Sequence, residues 1–185
     1  MPDRLEILRA LYGAYRLARL EPDGMGWFDL SVEGFWRSFF AAVLVAPGYA
    51  LIVILSLGPT SAPWIAILLV QAIAYVIGWL MFPLAALAAT RVLGLGARYV
   101  PLIVAANWAA VLQMVVFLAA LLLQAILPDG LGSVVVAITT LAILFYQWFV
   151  IRTALESTGG IALALLLLDL LLNALVSGVA DGLVV

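Results

Sequence analysis

Residues 160–181, GIALALLLLDLLLNALVSGVAD, decide the class of fold. About 20 apolar residues, at ~1.5 Å of helical rise each, cross a hydrocarbon core of ~30 Å, and this run is long and apolar enough to do so. Asp169 nevertheless stands near its middle, and Asn173, Ser177 and Asp181 follow at four-residue steps. On a helix that spacing draws one slowly drifting stripe, about 40° further round at each step. A carboxylate facing lipid is expensive, so the stripe is expected to face protein or water, with the other membrane helices packed around it.

The rest of the chain has the same character. Of 185 residues, 68% are apolar and 10% charged, against roughly 45–50% and about 25% for soluble domains, so the expectation is an all-α integral membrane protein. Cysteine, histidine and lysine are absent. Their absence removes thiol chemistry, zinc-thiolate sites and the commonest general base, and no metal or cofactor is expected. The net charge of −2 argues against a nucleic-acid partner. An arginine-only, alanine- and leucine-rich chain points to a GC-rich bacterial genome.

Working outward, five spans are expected at about 38–58, 64–89, 100–126, 132–153 and 160–181, forming one bundle over 35–185. Pro47-Gly48 interrupts the first span, predicting a kink or a re-entrant break. Leu57 to Pro63, Pro128-Asp129-Gly130 and Glu156 to Gly159 are turns. Residues 1–34 are more polar and do not read as a signal peptide. Arg4, Arg9, Arg16 and Arg19 alternate there with Leu5, Leu8, Leu11, Tyr12 and Tyr15 at three- and four-residue steps. That pattern predicts an amphipathic helix ending at Glu21-Pro22-Asp23-Gly24. Two placements stay open: flat on the membrane, with these arginines and Arg37 on lipid phosphates, or packed on the loops of the bundle. Arg91 and Arg98 lie between spans two and three, and Arg152 ends span four. All eight arginines thus share one side, which the positive-inside rule makes cytoplasmic, with the C-terminus outside. The expected location is a bacterial inner membrane.

Five spans after a cytoplasmic segment, Tyr146-Gln147-Trp148 leading to Arg152, and Gly159-Gly160 opening a leucine-rich last helix resemble the Yip1 family of small membrane proteins. The resemblance covers the layout of residues 35–184. The Asp-Leu-Tyr-Gly-Pro motif of eukaryotic members is missing, Pro47-Gly48-Tyr49 being a faint echo, and their role in vesicle traffic is not carried over. What the resemblance implies is a non-enzymatic protein that binds lipid or partner membrane proteins.

Two constellations are candidate sites. Asp169, Asn173, Ser177, Gln113 and Gln71 form an intramembrane polar set: by depth, Gln113 matches Asp169 and Gln71 matches Asn173, while Asn107 and Gln147 lie in the inner third. Such a set is either interhelical glue, at ~0.6 kcal/mol per hydrogen bond, or the lining of a path in a small transporter or channel. Trp79, Trp108, Trp148 and Tyr146 fall in the cytoplasmic half and form either an aromatic belt with core packing or an aromatic-lined inner cavity. The Gly94-x-Gly96 loop reads as turn glycines rather than a phosphate loop. Small-residue pairs at Ala105/Ala109, Ala106/Ala110, Ala85/Ala89 and Ala174/Gly178 permit close helix contact within the chain or self-association.

Overall fold

The computed structural model describes residues 1–56, 62–128 and 130–184; residues 57–61 of the turn expected from Leu57 to Pro63, and Asp129, lie outside the described residues. Among the described residues seven α-helices follow one another: α1 (Arg4–Ala18), α2 (Val32–Ser38), α3 (Phe40–Ser56), α4 (Trp64–Val92), α5 (Tyr99–Ile126), α6 (Leu131–Leu155) and α7 (Gly159–Gly182). Short 3₁₀ turns occupy Pro22–Trp27 and Gly96–Arg98. Because α2 runs almost directly into α3, five stretches are long and apolar enough to cross a membrane, the first from Val32 to Ser56. The protein is an all-α, multi-pass membrane protein.

Local chemistry sets the helix ends. The Asp3 carboxylate accepts from the Glu6 N–H at 2.6 Å, and the Ser31 hydroxyl accepts from the Gly34 N–H at 3.0 Å. Each satisfies a backbone donor that the first turn leaves unpaired. Gly94, at φ +70°, ends α4: its own N–H reaches the Arg91 carbonyl and that of Leu95 reaches Thr90. This is the left-handed glycine stop, and it accounts for Gly94 as a turn residue. Pro47 lies inside an uninterrupted α3, so there is no re-entrant break. Gly48 is there for closeness: a Cβ on it would fall 2.7 Å from Met114 on α5.

The centre of the bundle is α5, not α7. Leu102 to Ala109 of α5 are buried all the way round, because α1, α2, α3, α4 and α6 all lie against this helix. Ala105, Ala106 and Ala109 let those neighbours come close. They serve packing within the chain. The expectation that the other helices surround the last one is therefore corrected: α7 is peripheral, flanked by α6 on one side and α4 on the other.

The N-terminal segment is no separate domain. Ala10, Gly13, Ala14 and Leu17 of α1 are buried, and its apolar members join the same core as Leu102 and Val150. The helix packs on protein through this small-residue face. Gly13 and Gly24 make the seam, since a Cβ on either would sit within 2.9 Å of the other's carbonyl oxygen. The Tyr146 hydroxyl donates to the Ala14 carbonyl at 2.8 Å, and Arg37 reaches back to Glu6 at 2.8 Å. Leu5, Leu8, Tyr12 and Tyr15 lie on the opposite, exposed face.

Candidate functional site

Between α3, α4, α5 and α7 lies a cavity of about 310 Å³ at mid-depth in the bundle. Asp169, Asn173 and Ser177 line it from α7, and Gln113 and Gln147 reach it from α5 and α6. Asp169 is ten residues into its helix, about 15 Å along the axis from the arginine-bearing end. The four-residue stripe read from the sequence thus faces an opening rather than packed protein: Asn173 and Ser177 are exposed and Asp169 is half-buried.

Hydrogen bonds fix the orientation of this lining. The Asn173 amide nitrogen donates to both the backbone carbonyl and the carboxylate of Asp169, each at 2.9 Å. Gln113 donates to Gln147 at 2.7 Å, not to Asp169 as its depth implied. Tyr49 of α3 lines the cavity and donates to Gln71 at 2.8 Å. Tyr75 of α4 donates across to the Ala42 carbonyl of α3 at 2.5 Å. With ring centroids 4.7 Å apart for Tyr49–Tyr75 and 6.2 Å for Tyr75–Trp79, the three rings make a continuous aromatic wall. Gly78 keeps the wall open, because a Cβ there would meet nothing closer than the Asn173 side-chain oxygen at 3.8 Å.

Gln71 stands beside the cavity and not in it. It accepts from Tyr49 and donates to Asp181 at 3.4 Å, which extends the polar groups toward the end of the bundle without arginines. At the other end Asn107, buried, donates to Ser38 at 2.8 Å, and Ser38 donates to the Phe35 carbonyl at 2.7 Å. Phe82 and Pro83 line the cavity beside Asn107.

The second expected site does not form. Trp108 is 2% exposed and belongs to the core. Trp148 donates to the Gly159 carbonyl at 2.9 Å and lies under Arg152 at 5.5 Å. Tyr146 is engaged with α1, so Trp79 alone of the four lines a cavity, the polar one. Tyr75, near those tryptophans in the sequence reading, lines that cavity as well, and the residue the reading missed is Tyr49. The signal was available: a tyrosine at mid-span needs a partner for its hydroxyl, whereas a belt tyrosine has water.

A second hollow, about 300 Å³, runs along the outside of the α4–α7 seam and is lined by Ile73, Ile77, Leu175, Val179 and Leu183. Ala74 and Val176 line both spaces, so the polar cavity and the apolar groove adjoin there.

Among the arginines assigned to lipid phosphates, several are already paired. Arg16 and Arg19 meet Glu21 at 2.6 and 3.1 Å, and Arg37 meets Glu6 and Asp29. The Arg16 guanidinium holds the Glu21 carboxyl below its ordinary value. Asp29 is held low chiefly by the Ser31 backbone N–H, with Arg37 contributing. Arg4 and Arg9 are exposed and have no ion pair among the described residues.

No protein-family model, no characterised protein and no solved structure matches this chain. The comparisons therefore lend the Yip1 resemblance no support.

Proposed function

We propose that this is a non-enzymatic, Yip1-like protein of a bacterial inner membrane that binds an amphipathic, lipid-like molecule. The polar head occupies the cavity around Asp169, and the apolar tail lies in the groove between α4 and α7. The carrying observation is the contact of the two spaces at Ala74 and Val176. Pockets of small ligands combine a large apolar surface with a few placed polar groups, and here the two parts are divided as an amphiphile divides them. The arginine-bearing end faces the cytoplasm, by the bias of all eight arginines. Arg4 and Arg9, beside the exposed Leu5, Leu8, Tyr12 and Tyr15, contact the adjoining lipid.

The test uses a twelve-carbon amphiphile carrying a diazirine on its chain, photolysed in vesicles containing the protein. Labels should concentrate on Ile73, Ile77, Val176 and Val179 and should fall in Val176→Trp, which blocks the seam. Labelling spread evenly over the lipid-facing residues of α3 to α7 would overturn the proposal. A second reading, a small transporter, draws on the file of polar groups from Asp181 through Gln71 and Tyr49 to the cavity. It requires solute flux in proteoliposomes that Asp169→Leu abolishes.

A further inference from the structure

The cavity's own hydrogen bonds say which head group fits. Asn173 spends both amide hydrogens on Asp169. Tyr49 and Tyr75 spend their hydroxyl hydrogens on Gln71 and Ala42, and Gln113 spends one on Gln147. What these groups leave toward the opening is oxygen: the second carboxylate oxygen of Asp169, the side-chain carbonyls of Asn173 and Gln113, and the phenolic lone pairs. Donors face it as well, namely the Ser177 hydroxyl, the amide nitrogen of Gln147 and one amide hydrogen each of Gln113 and Asn107, so the charge of the lining decides. No arginine lines the cavity among the described residues, and Asp169 is its one carboxylate.

We infer that the head group this cavity takes is a protonated amine, an ammonium carrying N–H donors on an apolar tail. The inference rests on the reading of the site as an amphiphile pocket and names its substrate class. Three features converge on it. An ammonium has three donors, which the oxygens of Asp169, Asn173 and Tyr49 can accept. A cation removed from water needs a counter-charge, which Asp169 supplies through a charge-assisted hydrogen bond. The faces of Tyr49, Tyr75 and Trp79 carry the negative side of the aromatic quadrupole, and a cation within about 6 Å of such a face is attracted to it. An anionic head such as a phosphate would meet a like charge and no base. A neutral hydroxyl head would satisfy some acceptors but leave the carboxylate without a counter-charge.

Three probes with one tail and different heads test this: decylamine, which like lysine is protonated at neutral pH, 1-decanol, and decyl sulfate. Each is titrated calorimetrically into the full chain in maltoside micelles, with micelle partition subtracted. Decylammonium should saturate one site, decanol should bind roughly tenfold more weakly or worse, and decyl sulfate should show no saturable heat. Asp169→Asn, checked for folding by thermal unfolding, should bring decylammonium down to the level of decanol. Trp79→Leu should weaken the cation by a larger factor than decanol. Equal affinity of decylammonium and decanol, in the wild type and in Asp169→Asn, would overturn the ammonium assignment and leave the amphiphile pocket standing. No saturable binding of any of the three would sink both.

Discussion

Asp169 is the residue on which structure and function separate, and replacing it gives a sharp expectation. If the carboxylate were interhelical glue, Asp169→Leu would strand its partner at a cost of roughly 1–3 kcal/mol. The geometry predicts less. Its partner, Asn173, is one turn along the same helix and already donates to the backbone carbonyl of residue 169 at 2.9 Å, a bond no side-chain change removes. Only the 2.9 Å bond to the carboxylate oxygen is lost, and such bonds in membrane proteins average ~0.6 kcal/mol. The leucine side chain would enter a cavity of about 310 Å³ with room for it and gains some apolar contact in return. The net change should therefore stay within about 1 kcal/mol, and Asp169→Asn should be closer still to zero. The assay is reversible unfolding in mixed micelles by increasing dodecyl sulfate, followed by far-ultraviolet circular dichroism. A loss of about 2 kcal/mol or more for Asp169→Leu, well inside the range for stranded interhelical glue, would refute the argument.

Three other outcomes are expected. Gly13→Ala and Gly24→Ala each drive a methyl group onto the partner's backbone oxygen and should cost about 1–3 kcal/mol, releasing α1 to limited proteolysis while the five spans stay protected. Since the Glu21 and Asp29 carboxyls are held low in the folded state, their contribution is present above the ordinary carboxylate range, about pH 4, and is lost as pH falls through the folded values. The emission of Trp27, which packs edge-on to Tyr12 at 4.6 Å, should therefore shift on acidification, and less so in Glu21→Gln/Asp29→Asn. A topology reporter fused after Val185 should be active only outside the cytoplasm and one fused within 91–98 only inside; the reverse pattern would invert the assignment of the arginine-bearing end.

The five spans were legible because hydropathy over about 20 residues is a one-dimensional signal. Which helix sits in the middle was not. Lipid-facing and core-facing positions are apolar alike, so Leu84 and Leu141, both exposed, cannot be told by type from Leu102 and Leu155, which are fully buried. Small residues carried the missing information: Ala105, Ala106 and Ala109 mark the helix that others approach closely. Depth along a helix was legible and azimuth was not. Gln113 was therefore matched to Asp169 by level, although rotation about α5 gives it to Gln147. The polar stripe on α7 needed both period and depth, and its residues Asp169, Asn173 and Ser177 do line one cavity. The aromatic grouping had depth alone, and its members are shared out around one core, Trp108 and Tyr146 within it and Trp79 and Trp148 against it.

The distribution of burial explains why a cavity can persist in a bundle this small. Apart from Ile67, the largest fully buried apolar side chains cluster toward the arginine-bearing end: Leu17, Leu102, Ile103, Val104, Val150, Ile151 and Leu155. There α1 and α2 add a further layer on α5 and α6. Away from that end α4 packs on α7 and meets α3 through side-chain struts, Tyr75 to the Ala42 carbonyl and Tyr49 to Gln71. Hydrogen-bonded struts fix a distance between two helices without filling the space between them, which apolar packing cannot do. A chain selected only for stability would gain by closing α4 onto α5 with leucine, at roughly 25 cal/mol for each Å² removed from the open cavity. This one instead places Gly78, Asn173 and Ser177 on the opposed faces. The packing that holds the fold is thus densest at the arginine-bearing end, and the opening begins at mid-depth, where Phe82, Ala106 and Asn107 border both.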